Sequence, residues 1–203
     1  MNTQLLRIGF LASGNGSSAR AIIAAISTGD LKGEARLLVS NMKSSPALAF
    51  AVEAGVPAFC IPTQANPHAA DKALAAAMTS HGVELIVLSG YLRQLGAQTL
   101  ERYAGKILNI HPGPLPAFGG HGMYGRRVHE AVIAAGVRES GVCIHLVNEE
   151  YDRGPVIARR SVGLEPNDTA ESLETRITSL EPGFFLETLK RIASGELQLP
   201  NTQ

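Results

Sequence analysis

The first half of the chain alternates between short apolar runs and longer stretches in which apolar residues recur with helical spacing. The helical stretches cover residues 19–26, 45–54 and 67–81, and the last two are followed by glycines, which commonly end helices. Near-continuous apolar runs predict four buried strands, at residues 5–11, 35–39, 56–61 and 84–88. This order predicts a parallel sheet with right-handed crossovers.

In the second half, the apolar pattern predicts three more strands and two helical regions. The strands are expected at residues 107–111, 142–147 and 156–162, and a short helix at residues 128–135. A capping box formed by residues 166–169 with Glu171 would open the last helix. Pro182 and Gly183 should kink or break this helix before residues 184–193 continue it. Residues from about 194 onward are expected to fray.

Length and charge narrow the class of protein. A chain of 203 residues fits one α/β domain, here residues 1–203. Eighteen Lys and Arg balance eighteen Asp and Glu, so no net field would gather nucleic acid or an anionic membrane. The longest apolar run is too short to span a bilayer, and residues 1–7 do not resemble a signal peptide. We therefore expect a cytoplasmic protein without nucleic-acid or membrane partners.

A glycine loop, residues 12–18, joins the first strand to the first helix. Backbone N–H groups and hydroxyls at the positive end of a helix suit a phosphate. The loop loosely matches a dinucleotide fingerprint, but no acid ends the second strand, and no Walker lysine follows Gly14. A single phosphate on a small substrate is favoured, and the alternative is a tight turn in which the glycines serve geometry only.

Asn109 and His111 stand two positions apart on the fifth predicted strand, just before three prolines. This spacing puts both side chains on one face, about 7 Å apart along the strand. An amide donor beside an imidazole can hold an oxyanion and move a proton near neutral pH. The alternative is a histidine satisfied within the core. No Cys, Asp or Glu stands at metal-ligand spacing from His121 or His129, so no metal site is predicted.

Loops after the first, fourth and fifth predicted strands should meet at the carboxyl edge of the sheet, where ligands bind in parallel sheets. Four motifs in and beyond these loops resemble the phosphoribosylglycinamide formyltransferases, the folate-dependent transformylases of purine synthesis. The resemblance covers residues 8 to about 197, and its motifs lie at residues 13–17, 88–93, 108–112 and 151–157. It implies the formyltransferase fold, a mostly parallel, Rossmann-like sheet with helices on both faces and antiparallel additions in the C-terminal half.

The resemblance also implies roles for individual residues. Asn109, His111 and Asp152 would be catalytic, with Asp152 raising the pKa of the His111 imidazole. The substrate phosphate would bind to Gly16, Ser17 and Ser18, and the rest of the ribonucleotide to Gly90, Pro112 and Glu181. The formyl-folate pocket would be lined by Asn109 and by two segments, one made of Leu92, Arg93, Gln94 and Leu95, the other of Asn148, Glu149, Glu150, Tyr151 and Asp152. Ser18 stands where the family usually has asparagine, and Pro182 where histidine is common.

The implied reaction transfers a formyl group from 10-formyltetrahydrofolate, a consumed co-substrate, to the amine of 5'-phosphoribosylglycinamide, without a metal. Two alternatives stay open. One is another enzyme that uses 10-formyltetrahydrofolate, a hydrolase or a different formyltransferase, and the other is a non-catalytic module that binds a phosphate. The resemblance is compatible with a monomer or a homodimer.

Overall fold

A seven-stranded sheet forms the centre of the computed structural model, which describes residues 5–200. Residues 1–4, within the start considered for a signal peptide, and 201–203, the end of the predicted fraying tail, lie outside the described residues. The strand order is β3-β2-β1-β4-β5-β6-β7. The strands are β1 (Leu6–Leu11), β2 (Gly33–Ser40), β3 (Ala58–Cys60), β4 (Leu85–Leu88), β5 (Ile107–His111), β6 (Glu139–Leu146) and β7 (Val156–Gly163).

The sheet is parallel from β3 through β5 and antiparallel beyond it. β1 pairs in parallel with β2 and β4, and β4 pairs in parallel with β5. β6 then pairs antiparallel with both β5 and β7. The α/β class and the antiparallel additions in the C-terminal half are therefore confirmed.

Helices cover both faces of the sheet and bury two apolar cores. The larger core contains buried residues of α1, α2, α5 and α6, and the smaller one packs α3 against β1, β2, β4 and β5. The helices are α1 (Ser17–Ser27), α2 (Pro46–Glu53), α3 (Pro67–Ser80), α4 (Ala97–Arg102), α5 (Arg126–Ala134) and α6 (Ala170–Ala193). No helix among residues 5–200 is both long and apolar enough to cross a membrane.

Helix α6 corrects three expectations. It runs unbroken through Pro182, so of the predicted kink or break, the break was wrong. One face of α6 buries side chains on both sides of the proline, among them Ile177 and Phe185, and this packing offsets the roughly 3 kcal/mol that an internal proline costs. The N-terminal capping box pairs Thr169 with Ser172, and Glu171 is not part of it. Residues 195–200 do not fray as predicted, because Leu197 packs against the larger core.

Strand β5 separates apolar from polar side chains by its period of two. Leu108 and Ile110 point into the larger core. Asn109 and His111 therefore lie on the opposite face, next to the smaller core. On this face β6 brings His145 directly opposite Asn109, because the antiparallel register pairs these two residues. The short helix α4, which the apolar pattern does not predict, leads the chain from the β4 loop back to the start of β5.

Candidate active site

Asn109 and His145 form a cross-strand hydrogen-bonded pair. The amide nitrogen Nδ2 of Asn109 lies 3.1 Å from Nε2 of His145. The other ring nitrogen, Nδ1, lies 2.8 Å from the carbonyl oxygen of Leu146. A carbonyl oxygen only accepts hydrogen bonds, so Nδ1 carries the proton, and in the neutral ring Nε2 accepts one from Asn109. One amide hydrogen of Asn109 is thus held by His145, and the second is available to an oxygen of a ligand.

His111 and Asp152 form the second pair, although 41 positions separate them in the chain. Oδ2 of Asp152 lies 3.5 Å from Nδ1 of His111, and Oδ1 lies 3.4 Å from Nε2 of His145. The carboxylate therefore stands between two imidazoles. A proton taken up by His111 would be stabilised by this negative charge.

The loop that follows β5 closes over this cluster through its backbone. Nε2 of His111 donates to the carbonyl oxygen of Phe118 over 2.7 Å, and the N–H of Gly120 donates to Oδ2 of Asp152 over 2.9 Å. The close approach requires Gly119, since a Cβ there would lie 2.8 Å from Cβ of Asp152. Residues 113–120 thus fix the orientation of both His111 and Asp152.

The electrostatics of His111 correct one expectation. Its side chain is only 3% exposed, and burial lowers the pKa of the imidazole below its ordinary value of 6.5. Asp152 and the Phe118 carbonyl act in the opposite direction and do not outweigh burial. Asp152 therefore raises the pKa as predicted, but the prediction left desolvation out, and the net shift of the pKa is downward. At neutral pH the ring is neutral and can accept a proton at Nδ1, beside Asp152.

Asp152 stays ionised in this partly buried place. Burial raises the pKa of its carboxyl, but the neighbouring imidazoles of His145 and His111 and the Gly120 N–H together hold the pKa below 3.8. Its backbone has φ of 55°, the left-handed region that few residues other than glycine adopt. Asp152 is the one such non-glycine residue in the described part of the chain, and backbone strain of this kind gathers at functional sites.

The glycine loop has the geometry of an anion site. Gly16 caps α1 with φ of 62° and ψ of 44°, and a Cβ there would lie 3.0 Å from Cβ of Ala47. Among the first N–H groups of α1, that of Ala19 already donates to Oγ of Ser89. The N–H groups of Ser17 and Ser18 are the ones left for a ligand. Ser18 is 1% exposed, so its contact with a phosphate stays a prediction.

Glu181 lies on α6, which packs along α1. Burial without an opposing charge raises the pKa of the Glu181 carboxyl from 4.5 to about 7. Because the folded state binds the carboxyl proton more tightly than the unfolded state does, Glu181 favours folding most below pH 4.5. This stabilisation of the folded state is lost as the pH rises from 4.5 through 7. Near neutral pH, Glu181 is poised to be ionised by a ligand that donates hydrogen bonds, such as a pair of ribose hydroxyls.

We expect Glu181→Gln to stabilise the ligand-free protein at pH 8.5 and not at pH 4.5. The shift of the Glu181 pKa to about 7 corresponds to about 3 kcal/mol of unfolding free energy at high pH. Urea denaturation at both pH values measures the difference, with Glu53→Gln as the control, since Glu53 is exposed on α2. Equal effects of Glu181→Gln at both pH values would contradict a buried, titrating carboxyl.

The two segments predicted to line the formyl-folate pocket face each other. Nε2 of Gln94 donates to the carbonyl oxygen of Glu149 over 3.2 Å. Leu95 is buried in the smaller core, whereas Leu92 is 63% exposed. Six more predicted pocket residues are exposed, namely Arg93, Gln94, Asn148, Glu149, Glu150 and Tyr151. Gly90 is exposed and lies two residues after the end of β4. Pro112 is half-buried and directly follows β5.

Sequence reasoning did not assign a role to His145, to the Phe118 carbonyl or to the Gly120 N–H. Only His145 is recognisable in the sequence, as a histidine in an otherwise apolar strand. Its position opposite Asn109 follows from the antiparallel register, which the apolar pattern does not specify. Among residues 5–200, no group of three or more His, Cys, Asp or Glu side chains could hold a metal ion.

Comparison with known proteins gives a consistent result. The formyl transferase family model matches residues 6–189. The phosphoribosylglycinamide formyltransferase of Bacillus subtilis is 35% identical over 183 residues, which cover 89% of this chain and 91% of that protein. The chloroplastic enzyme of Arabidopsis thaliana is 35% identical over 95% of this chain, which spans 67% of that protein's length.

Solved structures show the same relationship. The phosphoribosylglycinamide formyltransferase of Coxiella burnetii superposes with a TM-score of 0.87 at 36% identity, covering 98% of this chain and 92% of that one. A formyltetrahydrofolate deformylase from Pseudomonas syringae superposes with a TM-score of 0.86 at 21% identity over 64% of its chain, and this likeness shows the fold alone. With its strand order, its Asn109, His111 and Asp152 cluster and these matches, the chain belongs to the formyl transferase family.

Proposed function

We propose that this chain transfers the formyl group of 10-formyltetrahydrofolate to the amine of 5'-phosphoribosylglycinamide, a step of purine biosynthesis. The observation that carries the proposal is one cluster of side chains that combines an amide donor, a buried neutral imidazole and a carboxylate. The relatives named above as phosphoribosylglycinamide formyltransferases support the choice of substrates.

The first half of the reaction uses Asn109. The substrate amine attacks the formyl carbon, a C–N bond forms, and the formyl oxygen becomes an oxyanion. The amide hydrogen of Asn109 that His145 does not hold donates to this oxyanion. Because His145 is anchored to the Leu146 carbonyl, the amide is oriented before the substrates bind.

The second half uses His111. The attacking amine becomes cationic and gives a proton to Nδ1 of the neutral ring. The imidazolium is stabilised by Asp152, which stays ionised. His111 then supports protonation of the folate nitrogen N10 as the C–N10 bond breaks, which releases tetrahydrofolate and the formylated amide. The remaining site residues are proposed to bind as the family resemblance implies: Gly16, Ser17, Ser18, Gly90, Pro112 and Glu181 the ribonucleotide, and the two facing segments the folate.

The direct test incubates the protein with 10-formyltetrahydrofolate, with and without the ribonucleotide. Formation of formylated ribonucleotide together with tetrahydrofolate is the expected result. Release of formate without the ribonucleotide would identify a hydrolase instead. Absence of turnover with both substrates would leave only a binding module and overturn the proposal.

A negative charge introduced into the glycine loop should weaken binding of the ribonucleotide and leave binding of formyl-folate unchanged. We expect Ser17→Asp to raise the KM for the ribonucleotide at least about tenfold, because like charges about 4 Å apart near a surface repel by roughly 4 kcal/mol. An acid in the first turn of a helix favours folding, so the variant should keep its stability. Variants of Gly16 are less informative, since any side chain there meets Ala47.

Steady-state kinetics with each substrate varied in turn measure this effect, and Ser17→Asn is the uncharged control. The KM for formyl-folate should stay within about twofold for both variants, which is the size of an indirect effect below 0.5 kcal/mol. An equal rise in both KM values would mean that the loop does not bind the phosphate.

Three further properties are part of the same proposal. Residues 1–203 would act as one formyltransferase domain, in the cytoplasm. The partners would be the two small molecules, and the protein would be a monomer or a homodimer. Size-exclusion chromatography with light scattering distinguishes between the two oligomeric states.

A further inference from the structure

Ser13 lies between the loop proposed to bind the ribonucleotide phosphate and the segment proposed to bind formyl-folate. It follows the end of β1 by two residues and precedes Gly16 by three. Its hydroxyl accepts a hydrogen bond from the N–H of Leu92 over 2.8 Å. Its own N–H donates to the carbonyl oxygen of Gly90 over 3.1 Å. Ser13 therefore holds the chain on both sides of Tyr91.

The Ser13 hydroxyl is itself held in place. It donates to Oδ1 of Asn41 over 2.6 Å, and Asn41, just beyond the end of β2, is 8% exposed. A hydroxyl has one hydrogen to donate and lone pairs to accept with, so both functions are used here. Because Asn41 takes the hydrogen, a lone pair must face Leu92. The buried amide thus determines the direction in which Ser13 accepts.

A neighbouring contact joins the same two segments. Oγ of Ser89, directly after β4, accepts from the N–H of Ala19 in the first turn of α1. Together with the bond from the Ser89 N–H to the carbonyl oxygen of Leu11, four hydrogen bonds attach residues 89–92 to the junction of β1 and α1. Only the Ser13 hydroxyl bond reaches Leu92, the first residue of the segment proposed to line the folate pocket. Ser13 is the last attachment before the exposed part of that segment.

We propose that Ser13 is a positioning residue that sets the affinity for formyl-folate, although it belongs by sequence to the loop that binds the other substrate. This inference rests on the proposed function and deepens it. Without the hydroxyl, the N–H of Leu92 would turn to solvent, because Leu92 is 63% exposed. The segment would then sample more conformations, and the free energy needed to order it would weaken folate binding.

The test compares Ser13→Ala with Ser13→Thr, which keeps the hydroxyl. For Ser13→Ala we expect the KM for 10-formyltetrahydrofolate to rise about fivefold, the effect of one lost hydrogen bond. The KM for the ribonucleotide should change less than about twofold, and Ser13→Thr should restore most of the loss. The Ser17→Asp variant should show the reverse pattern. A residue that merely supports the fold would raise both KM values together.

Calorimetric titration with tetrahydrofolate, the reaction product, gives a readout that needs no turnover. Ser13→Ala should bind it about fivefold more weakly than the wild-type protein does. Unchanged affinity, or equal changes in both KM values, would overturn the inference. If Ser13→Ala does not fold, Ser13→Cys, whose thiol bonds more weakly, should show the same direction of change. Absence of turnover in the wild-type protein would overturn the proposed function, whereas the titration would still decide the role of Ser13.

Discussion

The Asn109→Ala variant is expected to lose about 10²–10³-fold in kcat, the usual effect of removing one donor to an oxyanion. The loss should fall on kcat more than on either KM, because the oxyanion exists only after the amine has attacked. Asn109→Asp should lose at least as much, since a carboxylate cannot donate and would repel the oxyanion. Exposed Asn167, on the loop before α6, provides the control variant Asn167→Ala, which should be fully active.

His111→Ala should lose turnover by a similar factor, about 10²–10⁴-fold, because its proton transfers disappear. The side chain is buried and bonds to the Phe118 carbonyl, so thermal unfolding must be measured beside kinetics. His111→Gln can keep a donor towards Phe118 while it loses the titrating ring. An inactive, stable His111→Gln protein would support catalysis. Activity close to wild type would remove His111 from the mechanism and favour a structural histidine.

Asp152→Asn is expected to lower the His111 pKa further and to reduce kcat by about 10²–10⁴-fold, the range for disrupted acid–base catalysis. Asp152 opposes the effect of burial on the His111 pKa, so removal of its charge leaves desolvation unopposed by that carboxylate. The amide keeps the size of the side chain. Ribonucleotide binding at the glycine loop should change little.

An NMR titration of His111 in both proteins, together with pH–rate profiles, measures this effect. The acid limb of the kcat/KM profile reports the free enzyme and should move to lower pH in the variant. A His111 pKa that does not change would show that Asp152 is not its electrostatic partner. The role would then pass to Glu149 or Glu150, which are exposed on the same loop.

Apolar periodicity was sufficient to predict the parallel half of the sheet. The runs that became β1, β2 and β4 are buried on both faces, and the glycines that follow the intervening helices end them as expected. Helix α4 was missed because its six residues, Ala97–Arg102, are too few to show a helical period. The unbroken α6 shows tertiary packing overriding a local signal, since its buried face continues past Pro182.

The residues of the candidate site also differ in how far the sequence predicts them. Asn109 and His111 could be predicted from the residues alone, because their relation is local to one strand. The place of Asp152 beside His111 could be predicted only from the resemblance to a family, since its loop reaches His111 from far along the chain. The lowered pKa of His111 could not be predicted without knowing its burial. A sequence motif indicates which charged side chains surround a titratable group, whereas the desolvation of that group depends on all the residues that pack against it.

The antiparallel pairing of β5 with β6 makes the arrangement of the site depend on strand alignment. A shift of β6 by one position would place Ile144 or Leu146 opposite Asn109 in the place of His145. Because side chains alternate between faces, the same shift would turn His145 towards the larger core. The amide of Asn109 would then face a hydrocarbon side chain and lose its anchor. Correct pairing of β6 is therefore a condition for the oxyanion site proposed at Asn109.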